Sequence, residues 1–213
     1  MARDEERQLR ALEQPIVGGL PDVPGIGVAM RLTPKLGTHL RGLADQLLVD
    51  PFPGATISRG QREMLATAVS AANDCFFCMD SHAAHATAVF ELEGGAEAVP
   101  LLETLKLGSS DGFDPKMQAL LHIARTVRAN ARQLTARDTD AACAAGASDA
   151  DVQLAVLIAA AFSMYNRMVD GFRARTAPSV EVYSQRAAEI AEHGYGAPAP
   201  VPAAASVAAP AKP

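Results

Sequence analysis

The stretch AANDCFFCMDSHAAHA, Ala71–Ala86, gathers Cys75, Cys78, His82 and His85 in a chain with only three cysteines and five histidines. Thiols can attack electrophiles, pair as a disulfide or bind a metal, and an imidazole can take their protons. Asn73–Asp74 reads as an N-cap pair, which predicts Cys75 in the first turn of a helix running toward Leu92. At about 100° per residue, positions 75, 78, 82 and 85 fall within roughly 80° of each other, on one face. That face rises roughly 15 Å from first to last. Tetrahedral zinc needs ligands that converge, commonly from two chain segments, and no second CxxC or HxxxH supplies them. The spacing expects no metal. Two readings stay open: a redox pair, whose sulfurs can close a small disulfide, and a helix that simply buries two small thiols.

A histidine four residues beyond Cys78 lies one helical turn from it and can act as its base. Helix-start electrostatics favour Cys75 as the more acidic thiol, and adjacency to His82 favours Cys78; the histidine decides for Cys78. Something must in turn hold His82. Glu63, in RGQREMLATAVS, would lie roughly 18 Å from Cys75 if one helix ran unbroken through residues 72–74. With a turn there, the two helices pack side by side and the carboxylate reaches the thiols or His82. A solvated surface glutamate is the alternative.

The elements that carry these residues are helical. Hydrophobic residues make up 49% of the 213, aromatics only 5%, and there is no Trp, so packing relies on Ala, Leu, Val, Ile and Met. Such small-residue packing suits close helix contacts better than sheets. Ser58 with Gln61, Thr135 with Asp138, and Ser148 with Asp151 read as capping boxes, and Asp114–Pro115 as an N-cap with proline in the first turn. Gly94–Gly95, Gly108 and Gly146 mark helix ends. The expectation is an all-α domain of about seven or eight helices over residues 30–192. It follows an extension and loop (1–29, with the breaker-rich PIVGGLPDVPGIG) and precedes a disordered Ala/Pro-rich tail (193–213). The helix from about Asp149 to Val169 is apolar on nearly every side, and so is central to the core or shared with a second subunit.

The net charge of −5 comes with no basic block, which argues against nucleic acid. The charged N-terminus MARDEERQLRALEQ is no signal peptide, and the apolar run from Leu154 to Phe162 is too short to span a bilayer. The expectation is a soluble cytoplasmic protein. Cys143 is expected to be a small buried residue and His122 a satisfied core or interface histidine. Tyr165, Asn166 and Arg167 line the pocket or make subunit contacts.

The pattern Glu63-x11-Cys75-x2-Cys78-x3-His82, with the preceding TISRGQREMLATAVSAAND, resembles the AhpD-like alkylhydroperoxidases of the carboxymuconolactone decarboxylase superfamily. The stretch from DPKMQALLHIAR to AFSMYNRM is similar to its peroxidase-related branch, and the resemblance covers about residues 30–175. It implies an all-α fold, association as trimers or hexamers, and a thiol peroxidase without metal or organic cofactor. In that scheme Cys78 attacks a hydroperoxide and Cys75 then forms the disulfide. His82 and Glu63 relay protons, and an external thiol donor, a lipoylated protein in the best-known case, restores the dithiol. Some relatives carry a relay histidine just before the second cysteine, where this chain has Phe77. The decarboxylases proper lack the CxxC. Two rivals remain beside the peroxidase: a non-enzymatic redox-sensing oligomer, and a thiol–disulfide oxidoreductase acting on protein partners. Glu63 and His82 favour the peroxidase, since a passive sensor needs no proton relay.

Overall fold

The computed structural model describes residues 2–12, 14–177 and 182–196. Among them are ten α-helices and no strand: α1 (Ala2–Ala11), α2 (Gly27–Leu32), α3 (Pro34–Leu48), α4 (Arg59–Ala72), α5 (Phe76–Glu93), α6 (Leu101–Lys106), α7 (Pro115–Asn130), α8 (Ala136–Ala144), α9 (Asp149–Gly171) and α10 (Val182–His193). Eight have seven residues or more, in line with the all-α expectation.

The local signals account for most boundaries. Ser58 and Gln61 close a capping box on α4, Ser148 and Asp151 another on α9, and the Asp138 carboxylate accepts from both Thr135 N and its hydroxyl at the start of α8. Asp114 Oδ1 accepts from Met117 N at 2.9 Å, with Pro115 at the first position of α7.

Helix α4 is the central element. Almost every residue from Gly60 to Ala71 is buried, with α5, α7, α9 and α6 packed around it. Its small residues permit this. A Cβ at Gly60 would lie 2.3 Å from the Phe90 ring of α5, so the closeness of the α4–α5 crossing depends on glycine there. Leu65, Leu120, Leu121, Leu154 and Ile158 fill the space between α4, α7 and α9. Helix α9 is long and apolar enough to cross a membrane by length and composition, but 44% of that window is buried inside the fold. Its inner face belongs to the core, which is compatible with a soluble protein, while Leu157 and Met164 stay exposed.

The segment after α10 departs from the expected tail. Gly194, Tyr195 and Gly196 are fixed against α3, with Tyr195 N donating to Asp45 Oδ1 at 2.6 Å and Gly196 N to Oδ2 at 2.8 Å. Tyr195 is only 8% exposed. The Ala/Pro-rich run from 197 onward lies outside the described residues.

Candidate functional site

The break between α4 and α5 sets the site. Asn73 and Asp74 do not cap α5, as the sequence suggests; they end α4. Cys75 N donates to Ser70 O at 3.0 Å and Asp74 N to Ala71 O at 3.2 Å, the paired bonds of a Schellman ending, with Asp74 left-handed at φ 55°. Aspartate tolerates that conformation better than most residues. Cys75 is therefore the N-cap of α5 rather than a first-turn residue, and Cys78 takes the third helical position. The chain reverses, α5 packs along α4, and Glu63 faces α5.

A polar clamp holds the reversal. Asn73 Nδ2 donates to Asn166 Oδ1 at 2.8 Å, and Asn166 Nδ2 to Ser70 Oγ at 3.1 Å. Arg128 Nε donates to Asn73 Oδ1 at 2.6 Å, and its Nη2 bonds Ala72 O. Asn166 also offers its backbone carbonyl to Cys75 Sγ at 4.0 Å, a weak contact. It serves the thiol turn from behind, and Tyr165, donating to Leu40 O at 2.7 Å, lines the cavity. Arg167 bonds Ser163 O on the surface.

The turn brings Glu63 to His82. His82 Nδ1 lies 2.7 Å from Glu63 Oε2, and Tyr195 Oη lies 2.6 Å from Glu63 Oε1 and 2.9 Å from His85 Nδ1. All four residues are buried. Burial alone would raise the Glu63 carboxyl, but the hydrogen bonds from His82 and then from Tyr195 help hold it below the ordinary range. An ionised carboxylate only accepts, so His82 Nδ1 carries a proton, which leaves Nε2 as the ring nitrogen free to exchange one. Tyr195 has one hydroxyl proton, and the short bond gives it to Glu63; His85 Nδ1 then donates to the tyrosine oxygen. Burial, followed by the Glu63 charge, pushes Tyr195 well above the usual phenol value, so it stays protonated. Burial also drives His85 down to about 3, so it stays neutral.

The thiols differ in position and acidity. A cavity of about 710 Å³ has Cys78, Ser81, His82, His85 and Tyr195 in its wall, whereas Cys75 is fully buried outside that wall. Both are free thiols. The Cys75 thiol is held far above the ordinary range, first by its hydrogen bond to Cys78, then by burial and by the charge Cys78 carries when ionised. Cys78 is thus the thiol that faces the cavity.

The ligand atoms of Glu63, His82 and His85 lie within 4.8 Å of one another, close enough for one divalent ion. Both carboxylate oxygens and both Nδ1 atoms already take part in the hydrogen bonds above, so an ion bound through those atoms would have to displace them. Of the other sequence candidates, His122 is no core residue of the single chain but 61% exposed at its side chain, paired with Asp138 at 3.1 Å. Cys143 is exposed as well, its Sγ 3.7 Å from Asp149 Oδ1. Tyr195 was missed, because it sits beside a run of Ala and Pro with no local pattern.

Residues 34–126 match the carboxymuconolactone decarboxylase family model (CMD). The fold is similar to that of an uncharacterized peroxidase-related protein from Silicibacter sp. TM1040, at 22% identity and TM-score 0.60, over 82% of this chain and 93% of that one. It is also similar to the alkylhydroperoxidase AhpD core of a peroxidase-related protein from Ralstonia eutropha JMP134, at 21% identity and TM-score 0.62, over 88% and 90%. No curated protein matches the sequence. The family resemblance is therefore borne out as a resemblance: residues 34–126 match the carboxymuconolactone decarboxylase family model, in a chain with the fold of the AhpD-core, peroxidase-related proteins.

Proposed function

We propose that the protein is a thiol-dependent peroxidase that reduces hydroperoxides through a Cys75/Cys78 dithiol–disulfide cycle. The observation that carries this reading is the asymmetry of the thiols: Cys78 faces a cavity one turn from a histidine base held by a buried carboxylate, and Cys75 waits behind it as a protonated thiol.

In this scheme His82 Nε2 takes the Cys78 proton, and the thiolate attacks the terminal oxygen of ROOH. The O–O bond breaks, the proton on His82 passes to the departing alkoxide to give ROH, and Cys78 is left as a sulfenic acid. Cys75 sulfur then attacks Cys78 sulfur; the S–O bond breaks and the hydroxide leaves with the Cys75 proton as water. An external dithiol reduces the disulfide and is itself oxidised to a disulfide. Glu63 stabilises the His82 imidazolium while it holds the proton, and Tyr195 fixes the carboxylate from the other side.

For partners, the reading takes a hydroperoxide, an external thiol donor and further copies of the chain; exposed Leu157 and Met164 on α9 support self-association. The test is hydroperoxide consumption with dithiothreitol as donor, alongside trapping of the intermediate. Wild type should turn over, Cys78→Ser should not, and Cys75→Ser should accumulate a dimedone-reactive sulfenic acid on Cys78. Equal consumption by wild type and Cys78→Ser would contradict the reading.

A further inference from the structure

The cavity beside Cys78 is far larger than the smallest peroxide needs. Water occupies about 30 Å³ in the liquid, so about 710 Å³ corresponds to roughly twenty waters. Much of its wall is apolar, with Val23, Ile26, Met30, Phe77, Phe162 and Ile190. Its charges are one-sided. The chain as a whole has 24 acidic residues against 19 Lys and Arg, yet the cavity wall contains Arg31, Arg41 and Arg186 and no aspartate or glutamate.

The arginines are not equivalent. Arg186 is paired with Glu189 at 2.9 Å. Arg31 and Arg41 have no ion pair among the described residues. Arg31 is exposed and Arg41 half-buried, while Cys78 is buried, so the two arginines stand nearer to solvent than the thiol. Their elements meet closely: a Cβ at Gly37 would come within 2.1 Å of Met30 O and 3.2 Å of Arg41 Nη2, so glycine lets α3 and the Arg41 head lie against α2. A guanidinium is a planar, permanently charged donor suited to a carboxylate.

We propose that this cavity selects an apolar organic hydroperoxide ending in a carboxylate, with Arg31 and Arg41 binding the carboxylate and the chain running inward so that the hydroperoxide reaches Cys78. The inference rests on the peroxidase reading and names the substrate class of the same site. The reaction is unchanged: ROOH becomes ROH and water as the dithiol becomes a disulfide. A neutral ester of the same acid keeps the apolar contacts and loses the anion.

The experiment compares kcat/KM for linoleic acid hydroperoxide with that for its methyl ester. The acid should be preferred by on the order of ten-fold or more, from charge-assisted hydrogen bonds, and the preference should collapse toward unity in the Arg31→Gln/Arg41→Gln double variant. No preference in wild type, or an undiminished preference in the variant, overturns the proposal while leaving the peroxidase reading intact. Palmitate, which carries no peroxide, gives a second readout by calorimetry. Weaker binding by the folded variant supports the anion site even if no hydroperoxide is consumed, and equal binding by both proteins overturns it.

Discussion

Glu63 and Asp151 are both buried carboxylates on long helices, and both are held below the ordinary carboxyl range. Their partners differ. Asp151 accepts from Thr56 N at 2.7 Å, Ile57 N at 3.0 Å, Ser148 N at 3.0 Å and the Thr56 hydroxyl at 2.6 Å, with Lys116 Nζ at 3.0 Å. Those donors are mostly backbone N–H groups, which do not titrate at working pH. Glu63 is bonded to an imidazole and a phenol, next to a cavity wall that contains a thiol. One arrangement pins the loop before α4 to the start of α9; the other holds an imidazole in the wall of a thiol-bearing cavity. A buried carboxylate is therefore no functional signal by itself. The titratability of its partners and their access to a cavity separate the two.

The largest stability effect should fall on the first arrangement. Asp151→Ala leaves a lysine and several buried donors unpaired and should cost about 3–5 kcal/mol, measured by denaturant unfolding. Peroxide reduction per folded molecule should hardly change. A comparable loss of stability with collapsed activity would erase the distinction between the two carboxylates.

Tyr195→Phe should act the other way. It removes the donor to Glu63 Oε1 and the acceptor for His85, at a stability cost of about 1–3 kcal/mol. The pH dependence of kcat/KM should shift, because the carboxyl loses a bond that favours its ionised form. An unaltered pH profile would reduce Tyr195 to packing.

The smallest effect is a slope. His85 is neutral in the fold down to about 3 but titrates from 6.5 when unfolded. Between those values the unfolded state binds the extra proton, so stability is fully present above 6.5 and is lost as pH falls. Glu63, with its depressed carboxyl, adds loss in the same direction only below its ordinary value of 4.5. His85→Asn should flatten the decline between pH 6.5 and 4.5 by at most about 1.4 kcal/mol per pH unit. Melting temperatures across that range would show it, and an identical slope would place the proton uptake elsewhere.

Much of this was legible in the sequence, for physical reasons. The capping boxes are local, so Ser58, Thr135 and Ser148 announce their helices. Glu63, Cys75, Cys78 and His82 span one helical hairpin, so their spacing nearly determines their meeting once the chain turns. The turn itself was misread because Asp74 takes the left-handed position that glycine usually marks. Tyr195 lies 113 residues from His82, and Asp45, on a third element, fixes its backbone there. Residue type suggests a buried Cys143 and a core or interface His122, whereas α8 and α7 place both on the surface of the single chain, where each meets an aspartate.

The central claim is that His82, held by Glu63, activates Cys78. The most direct measurement is the rate of Cys78 alkylation against pH in wild type, Glu63→Gln and His82→Ala, with Cys75 replaced by serine throughout so that one thiol reports. The onset of Cys78 reactivity should move to higher pH in both variants and further in His82→Ala; with Cys75 restored, peroxide reduction by His82→Ala should also fall by about 10²–10⁴. Superimposable alkylation profiles in all three proteins would contradict the claim and leave Cys75 and Cys78 as an oxidisable pair without a relay.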